Sequence, residues 1–255
     1  MGEKKQKKQS KGILRKIVFC IALVVFLVSG YKLFTIWKEY HDNKVSYESV
    51  REYRPKEVVD ESGNQVYRFT PEDFNKLKEI NSDLKGWIYI PNTNVDYPVV
   101  QSTDNDFYLH HNFYKEYNSG GAIFIASEIE NPFIDKNTII HGHHMNDNSM
   151  FASLSNFKEE QFFKDNRTVY ITTENEILEY EVFSVYYQVA NTNPYQYGFA
   201  SDDDYVNFLN ELKNKSLFTV EMDPLTKDDK IITLSTCTYE VNDGRLLVHA
   251  RLKNK

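Results

Sequence analysis

The chain has 255 residues, and its 37 acidic residues against 30 basic ones give it a formal net charge of −7. This acidic balance argues against nucleic acid as a partner. Two cysteines are too few for a disulfide framework, so a hydrophobic core has to stabilise the fold.

The chain begins with a basic tail that is followed by an apolar stretch. Residues 1–16 carry seven lysines or arginines against one glutamate, and Lys32 is the only charge in residues 17–37. About 20 apolar residues predict a transmembrane signal anchor, and the basic tail predicts a cytoplasmic N-terminus with the rest of the chain extracellular. A signal peptide cleaved near residues 28–30 is the alternative, which we disfavour because the apolar run continues beyond that site.

The region after the apolar stretch divides into a stalk and a folded domain. We assign residues 38–68 to a stalk and N-terminal helix region, in which the charged segment 57–65 predicts a loop. Residues 69–255 are assigned to an extracellular domain that is long enough for one sizeable core. Its first element is a predicted helix from Thr70, the capping residue, to about residue 84.

From Gly86 onward, short runs of β-branched and aromatic residues predict a mainly β domain with peripheral helices. After four short strands, the predicted elements are two helical pieces over 151–165, a hairpin over 168–190, a loop over 191–200, a helix over 201–213 and final strands over 230–236 and 245–252. This order puts Cys237 and Arg245 at the facing ends of two neighbouring strands.

Cys237 is the only cysteine outside the apolar stretch. An unpaired thiol in an exported domain indicates either a reactive group or intermolecular pairing, although a buried, inert cysteine has the same sequence signature. A thiolate is the competent nucleophile. The guanidinium of Arg245 does not act as a base, so its use would be to bind a substrate backbone or an oxyanion.

Three histidines, His141, His143 and His144, lie within four residues after a predicted strand. One interpretation is a metal site, because histidine is a common zinc ligand. The sequence has neither an HExxH motif nor a cysteine pair to support that site. The other interpretation is that a histidine exchanges protons with a cysteine nucleophile and its leaving group.

The segment TLSTC at 233–237, followed by Arg245, resembles the TLxTC…R signature of sortases. The Gly-His pair that ends at His143 resembles the segment that holds the sortase histidine, and the helix over 201–213 is similar to one that marks class B sortases. The resemblance covers roughly residues 69–252. It implies a closed β-barrel of about eight strands, with N-terminal helices and a helix inserted before the cysteine strand.

The resemblance also implies roles for individual residues. Cys237 would be the nucleophile, His143 the general acid and base, and Arg245 the group that binds substrate and supports the oxyanion. Implied substrate-binding residues are Asn105, Leu109, Ser235, Thr238, Tyr195 and Tyr197, with Thr238 acting through its backbone N–H. The sequence departs from the family at His141, where an aromatic residue is common, and at Thr238, where an acidic residue can occur.

The implied activity is that of a membrane-anchored cysteine transpeptidase. Its substrate would be a surface protein with an NPxTN- or LPxTG-like sorting signal, cleaved after threonine through a thioacyl-enzyme and transferred to an amine of a peptidoglycan peptide or lipid-linked precursor. This chemistry needs no cofactor and no metal. The alternatives are a metal-binding surface protein that uses the histidine cluster and a non-catalytic peptide-binding module.

Overall fold

A computed structural model describes residues 3–59, 63, 65–189, 195–238 and 244–253. The chain forms two units, Met1–Lys44 and Val45–Lys255. Tyr47 and Val50 belong to the hydrophobic core of the second unit, so its packed part begins before residue 69. The division into a stalk over 38–68 and a domain over 69–255 stays a prediction.

Helix α1 spans Glu3–Val50 and contains the predicted anchor. Its apolar side chains are exposed from Ile17 to Trp37, with Phe26 at 72% of its full accessibility. Among the described residues, this is the one helix that is long and apolar enough to cross a membrane. Leaving so many apolar groups in water is unfavourable, so this helix is consistent with a membrane anchor.

A closed eight-stranded β-barrel forms the centre of the described part of the second unit. The hairpin β1–β2, Lys56–Val59 and Gln65–Arg68, lies outside it. The barrel strands are β3 Leu84–Tyr89, β4 Asp96–Val100, β5 Ile123–Ile125, β6 Asn137–His141, β7 Thr168–Thr172, β8 Ile177–Val189, β9 Ile231–Thr238 and β10 Gly244–Leu252. Their order is β10-β8-β7-β3-β4-β5-β6-β9, and β9 closes the barrel against β10. The predicted barrel is therefore confirmed.

After α1, the described residues contain three further α-helices outside the barrel. They are α2 Pro71–Ile80, α3 Glu160–Asp165 and α4 Asp202–Lys215. Thr70 caps α2 by accepting the N–H of Asp73 at 3.1 Å, and Ser201 caps α4 in the same way. The predicted extension of α2 to residue 84 is wrong. The helix ends at Ile80 because Asn81 is extended and its side chain accepts the N–H of Asp83, which turns the chain into β3.

The predicted loop over 57–65 is also wrong in the described residues. Lys56–Val59 and Gln65–Arg68 pair as antiparallel strands, with Val58 opposite Val66. The charged residues suggested a loop, but each of these two segments also contains valine or tyrosine, which favour strands. The predicted loop over 191–200 is confirmed at residues 195–200, which form neither helix nor strand, and its residues 191–194 lie outside the described residues, as do residues 239–243 between the last two strands.

Candidate active site

Cys237 and Arg245 are directly opposite each other on the antiparallel ladder of β9 and β10. Residues that face each other in such a ladder project from the same side of the sheet, with Cβ atoms about 5 Å apart. The thiol of Cys237 is unpaired and half-buried. The predicted facing position of these residues is confirmed by this register.

β6 runs parallel to β9 on the other side and ends at the same end of the barrel. His141 pairs with Ser235, and the N–H of Gly142 donates to the carbonyl of Ser235 at 3.1 Å. His143 follows His141 by two residues, just as Cys237 follows Ser235 by two residues on β9. Gly142 has no space for a side chain, because an added Cβ would lie 2.5 Å from Ile123 and 2.7 Å from the ring of Phe151.

Two hydrogen bonds fix His143 just beyond β6. Its Nε2 lies 2.8 Å from the carbonyl oxygen of Leu109, and its own carbonyl accepts the N–H of Phe151 at 2.9 Å. A carbonyl oxygen only accepts hydrogen bonds, so this contact assigns a proton to Nε2. Nδ1 is then the ring atom that remains available for proton exchange.

Tyr195 connects two strands of the site. Its hydroxyl lies 2.7 Å from the hydroxyl of Ser235 on β9, and the guanidinium of Arg245 on β10 acts on it electrostatically. Burial raises the pKa of Tyr195, although the bond to Ser235 and the positive charge of Arg245 act in the opposite direction. The ring of Tyr197 lies 6.5 Å from that of Tyr195, and burial, followed by the negative charge of Glu128, raises the pKa of Tyr197 to about 12.

His141 is held between aromatic rings behind this network. The ring of Tyr195 meets it edge-on at 5.0 Å, and that of Phe124 lies 5.2 Å away. Burial is the main cause that lowers the pKa of His141 to about 4, with Glu128 opposing and Arg245 adding to the shift. The imidazole of His141 is therefore neutral at physiological pH and contributes shape rather than charge.

Asn105 uses both atoms of its side-chain amide on the protein itself. Its Nδ2 donates to the carboxylate of Glu128 at 2.7 Å, and its Oδ1 accepts the N–H of Ser127 at 2.8 Å. Burial acts to raise the pKa of Glu128, but the bonds from Asn105, its own backbone and Ser127 lower it overall. Glu128 thus presents a fixed negative charge at the exposed edge of the site.

The comparisons with known proteins identify the family. The Sortase domain family model matches residues 88–253. The chain belongs to the sortase family. It is 34% identical to Sortase B of Listeria monocytogenes over 247 residues, covering 96% of this chain and 99% of the relative.

Solved structures of class B sortases have the same fold as this sortase. Sortase B from Bacillus anthracis in complex with AAEK1 aligns with a TM-score of 0.73 and 35% identity, covering 86% of this chain and 100% of that chain. A Staphylococcus aureus sortase B-substrate complex aligns with a TM-score of 0.72 and 29% identity, covering 85% and 98% respectively. This sortase is therefore a class B member and a cysteine transpeptidase that acts on sorting signals.

The other predicted site residues of this sortase contribute in different ways. Leu109 contributes its backbone carbonyl to His143, and Thr238 ends β9 opposite Gly244, with only its backbone described. Among the described residues, no three His, Cys, Asp or Glu side chains converge to hold a metal ion. Sequence reasoning missed Glu128, which no motif marks and which only the contact with Asn105 brings to attention.

Proposed function

We propose that this sortase cleaves a C-terminal sorting signal after threonine and joins the released protein to a peptidoglycan amine. Cys237 is the nucleophile, His143 the general acid and base, and Arg245 the donor that supports the oxyanion. The observation that carries the proposal is the Cys237–Arg245 register, with His143 held by the Leu109 carbonyl just beyond the end of the neighbouring strand β6.

The first half-reaction forms a thioester. Nδ1 of His143 takes the thiol proton of Cys237, and the thiolate attacks the threonine carbonyl carbon. Arg245 and the backbone N–H of Thr238 stabilise the oxyanion that develops. The peptide bond breaks when the leaving nitrogen takes the proton from His143, and the C-terminal remnant departs as an amine.

The second half-reaction resolves the thioester. An amine of a peptidoglycan peptide or lipid-linked precursor attacks the same carbonyl carbon and gives a proton to His143. The carbon–sulfur bond breaks, and the thiolate of Cys237 recovers the proton. Attack by water in place of the amine gives hydrolysis, so both products come from one intermediate.

The sorting signal is an NPxTN- or LPxTG-like sequence in this proposal, and it lies against the groove next to the thiol. Ser235, Tyr195 and Tyr197 form one wall, and the hydrogen bond between Tyr195 and Ser235, together with the electrostatic effect of Arg245 on the Tyr195 hydroxyl, supports this assignment. Leu109 and Asn105 form the other wall. Asn105 contributes by holding the carboxylate of Glu128 toward the groove.

We further propose that residues 17–37 anchor the protein in the cell membrane, with residues 1–16 in the cytoplasm and the catalytic unit outside. The exposed apolar surface of α1 supports the anchor, and the basic tail supports the orientation. A membrane-impermeant maleimide added to intact cells should label Cys237. If Cys237 were labelled only after cell lysis, the catalytic unit would lie inside the cell and the proposed orientation would be wrong.

The decisive experiment incubates the full-length chain in detergent with a panel of sorting peptides and a model amine. Mass spectrometry identifies the products, and the Cys237→Ala variant is the control. We expect cleavage after threonine and an amide product only in the wild type. Equal cleavage by Cys237→Ala contradicts the nucleophile assignment, and a reactive thiol with no cleavage of any peptide contradicts the substrate class.

A further inference from the structure

The end of helix α1 lies close to the support of His143. Tyr47, in its last turn, is buried at 2% exposure and belongs to the barrel core. Burial raises the pKa of Tyr47 far above its usual range, so the hydroxyl stays protonated and donates. Two separate series of contacts run from this tyrosine to the histidine.

The first series reaches the imidazole. The hydroxyl of Tyr47 donates to the carbonyl of Gly121 at 2.8 Å. Gly121 has a φ of +58°, and an added Cβ would collide with the carbonyls of Tyr108 and Leu109, so its backbone lies directly against them. The Leu109 carbonyl is the acceptor for Nε2 of His143.

The second series reaches the backbone that follows the histidine. The ring of Tyr47 meets the ring of Tyr97 edge-on at 5.1 Å. The hydroxyl of Tyr97 accepts the N–H of Met150 at 3.0 Å. The next residue, Phe151, donates its N–H to the carbonyl of His143.

We propose that Tyr47 is a positioning residue for His143, which couples the last turn of the N-terminal helix to the acid–base group. The inference rests on the proposed role of His143. In this proposal helix α1 has a second role besides anchoring. The hydroxyl of Tyr47 keeps the Leu109 carbonyl in the position where it holds the imidazole of His143 in one tautomer and one orientation. Proton transfer depends steeply on such alignment.

The test compares Tyr47→Phe with Tyr205→Phe in the full-length chain in detergent. Tyr205 is a matched control, because its buried hydroxyl shares its one proton between the carbonyls of Lys136 and Asp229, 2.9 and 2.8 Å away before β6 and β9 and away from Cys237. Both variants lose a buried hydroxyl and should lose similar thermal stability. Only Tyr47→Phe should lower kcat, by about fivefold to tenfold with KM nearly unchanged.

A spectroscopic measurement separates positioning from general destabilisation. In protein labelled with ¹⁵N-histidine, the signal of His143, assigned by its loss in His143→Gln, should report the Nε2-protonated tautomer in the wild type and a mixture in Tyr47→Phe. An unchanged tautomer together with the same kcat as Tyr205→Phe overturns the role of Tyr47. Wild-type activity of His143→Gln overturns the acid–base assignment instead, so the two failures are distinguishable.

Discussion

The three proposed catalytic side chains are held by two regions that differ in construction. Cys237 and Arg245 lie within the β9–β10 ladder, where each has a fixed partner. His143 lies beyond the end of β6, where single bonds to Leu109 and Phe151 hold it. A ladder position is backed by a row of backbone hydrogen bonds, whereas a loop position depends on a few individual contacts.

The loop region also contains unusual backbone conformations. Asn148 and Met150, which follow His143, have φ values of 63° and 55°. Non-glycine residues cost roughly 1 to 3 kcal/mol in such conformations and persist only where surrounding contacts impose them. We therefore expect the positions of the nucleophile and the guanidinium to tolerate changes in distant side chains, whereas the position of His143 should depend on the residues that hold it.

The largest effect is expected on the ladder itself, from Arg245→Lys. The substitution keeps the charge and the strand position but replaces a planar fork with a point charge. Removal of one oxyanion donor costs about 10²- to 10³-fold in kcat, and we expect a loss of that order in peptide cleavage. Arg251→Lys, on the same strand, is the control and should stay near wild type. An equal, small effect of both changes would remove Arg245 from the mechanism.

The difference between ladder positions and loop contacts also explains which parts of the site could be predicted from the sequence. The facing positions of Cys237 and Arg245 follow from two consecutive strands joined by a short connection, and this relative placement was predicted correctly. The contact of His143 with the Leu109 carbonyl joins residues 34 apart through a loop, and no local pattern encodes it. The barrel was predicted from local runs and from family resemblance, whereas its strand order depends on long-range pairing.

The next largest effect is expected from Gly142→Ala, in the loop region that holds His143. The added methyl group would lie 2.5 Å from Ile123 and 2.7 Å from the ring of Phe151, so either the chain at Gly142 or these side chains have to shift, and Phe151 holds the carbonyl of His143. A displacement of about 1 Å can cost 10²-fold in rate, and we expect a loss approaching that in kcat. The matched control is Gly198→Ala, because nothing lies within 4 Å of the added group. Similar kcat values for the two variants would mean that the loop adapts freely.

A smaller effect concerns the ladder's stability in acid. His249 is buried on β10, and its Nδ1 lies 3.0 Å from the hydroxyl of Thr233 on β9. Burial, with a contribution from Lys215, lowers the pKa of His249 to about 3, from 6.5 in an exposed histidine. Between these values the unfolded chain binds a proton that the folded chain does not. The free energy of unfolding is therefore full above about pH 6.5 and falls toward pH 3.

The pH slope gives the measurement for this prediction. One such histidine lowers the free energy of unfolding by up to about 1.4 kcal/mol per pH unit, or about 2 kcal/mol between pH 6.5 and 5. That corresponds to a fall of roughly 4 to 8 °C in Tm for a domain of this size. His141, with its pKa lowered to about 4, adds a loss of the same sign. His249→Asn should flatten the slope, and an unchanged slope would contradict a neutral, buried His249.

The smallest effect is expected from Glu128→Gln, at the exposed edge of the site. It tests whether this edge selects substrates by charge or only lines the groove. Glu128 is held by Asn105 and Ser127, which are neutral, so its charge is directed outward. Glu128→Gln keeps the shape of the side chain and removes that charge. Exposed charge pairs contribute about 0.2 to 1 kcal/mol, so kcat/KM should fall about two- to fivefold for peptides with lysine at the variable position and stay constant for neutral ones. Glu130→Gln, also exposed, is the control. A carboxylate that selects charge has to discriminate between charged and neutral substrates. An equal loss of kcat/KM for all peptides would therefore mean that Glu128 supports the structure of the groove and does not select substrates by charge.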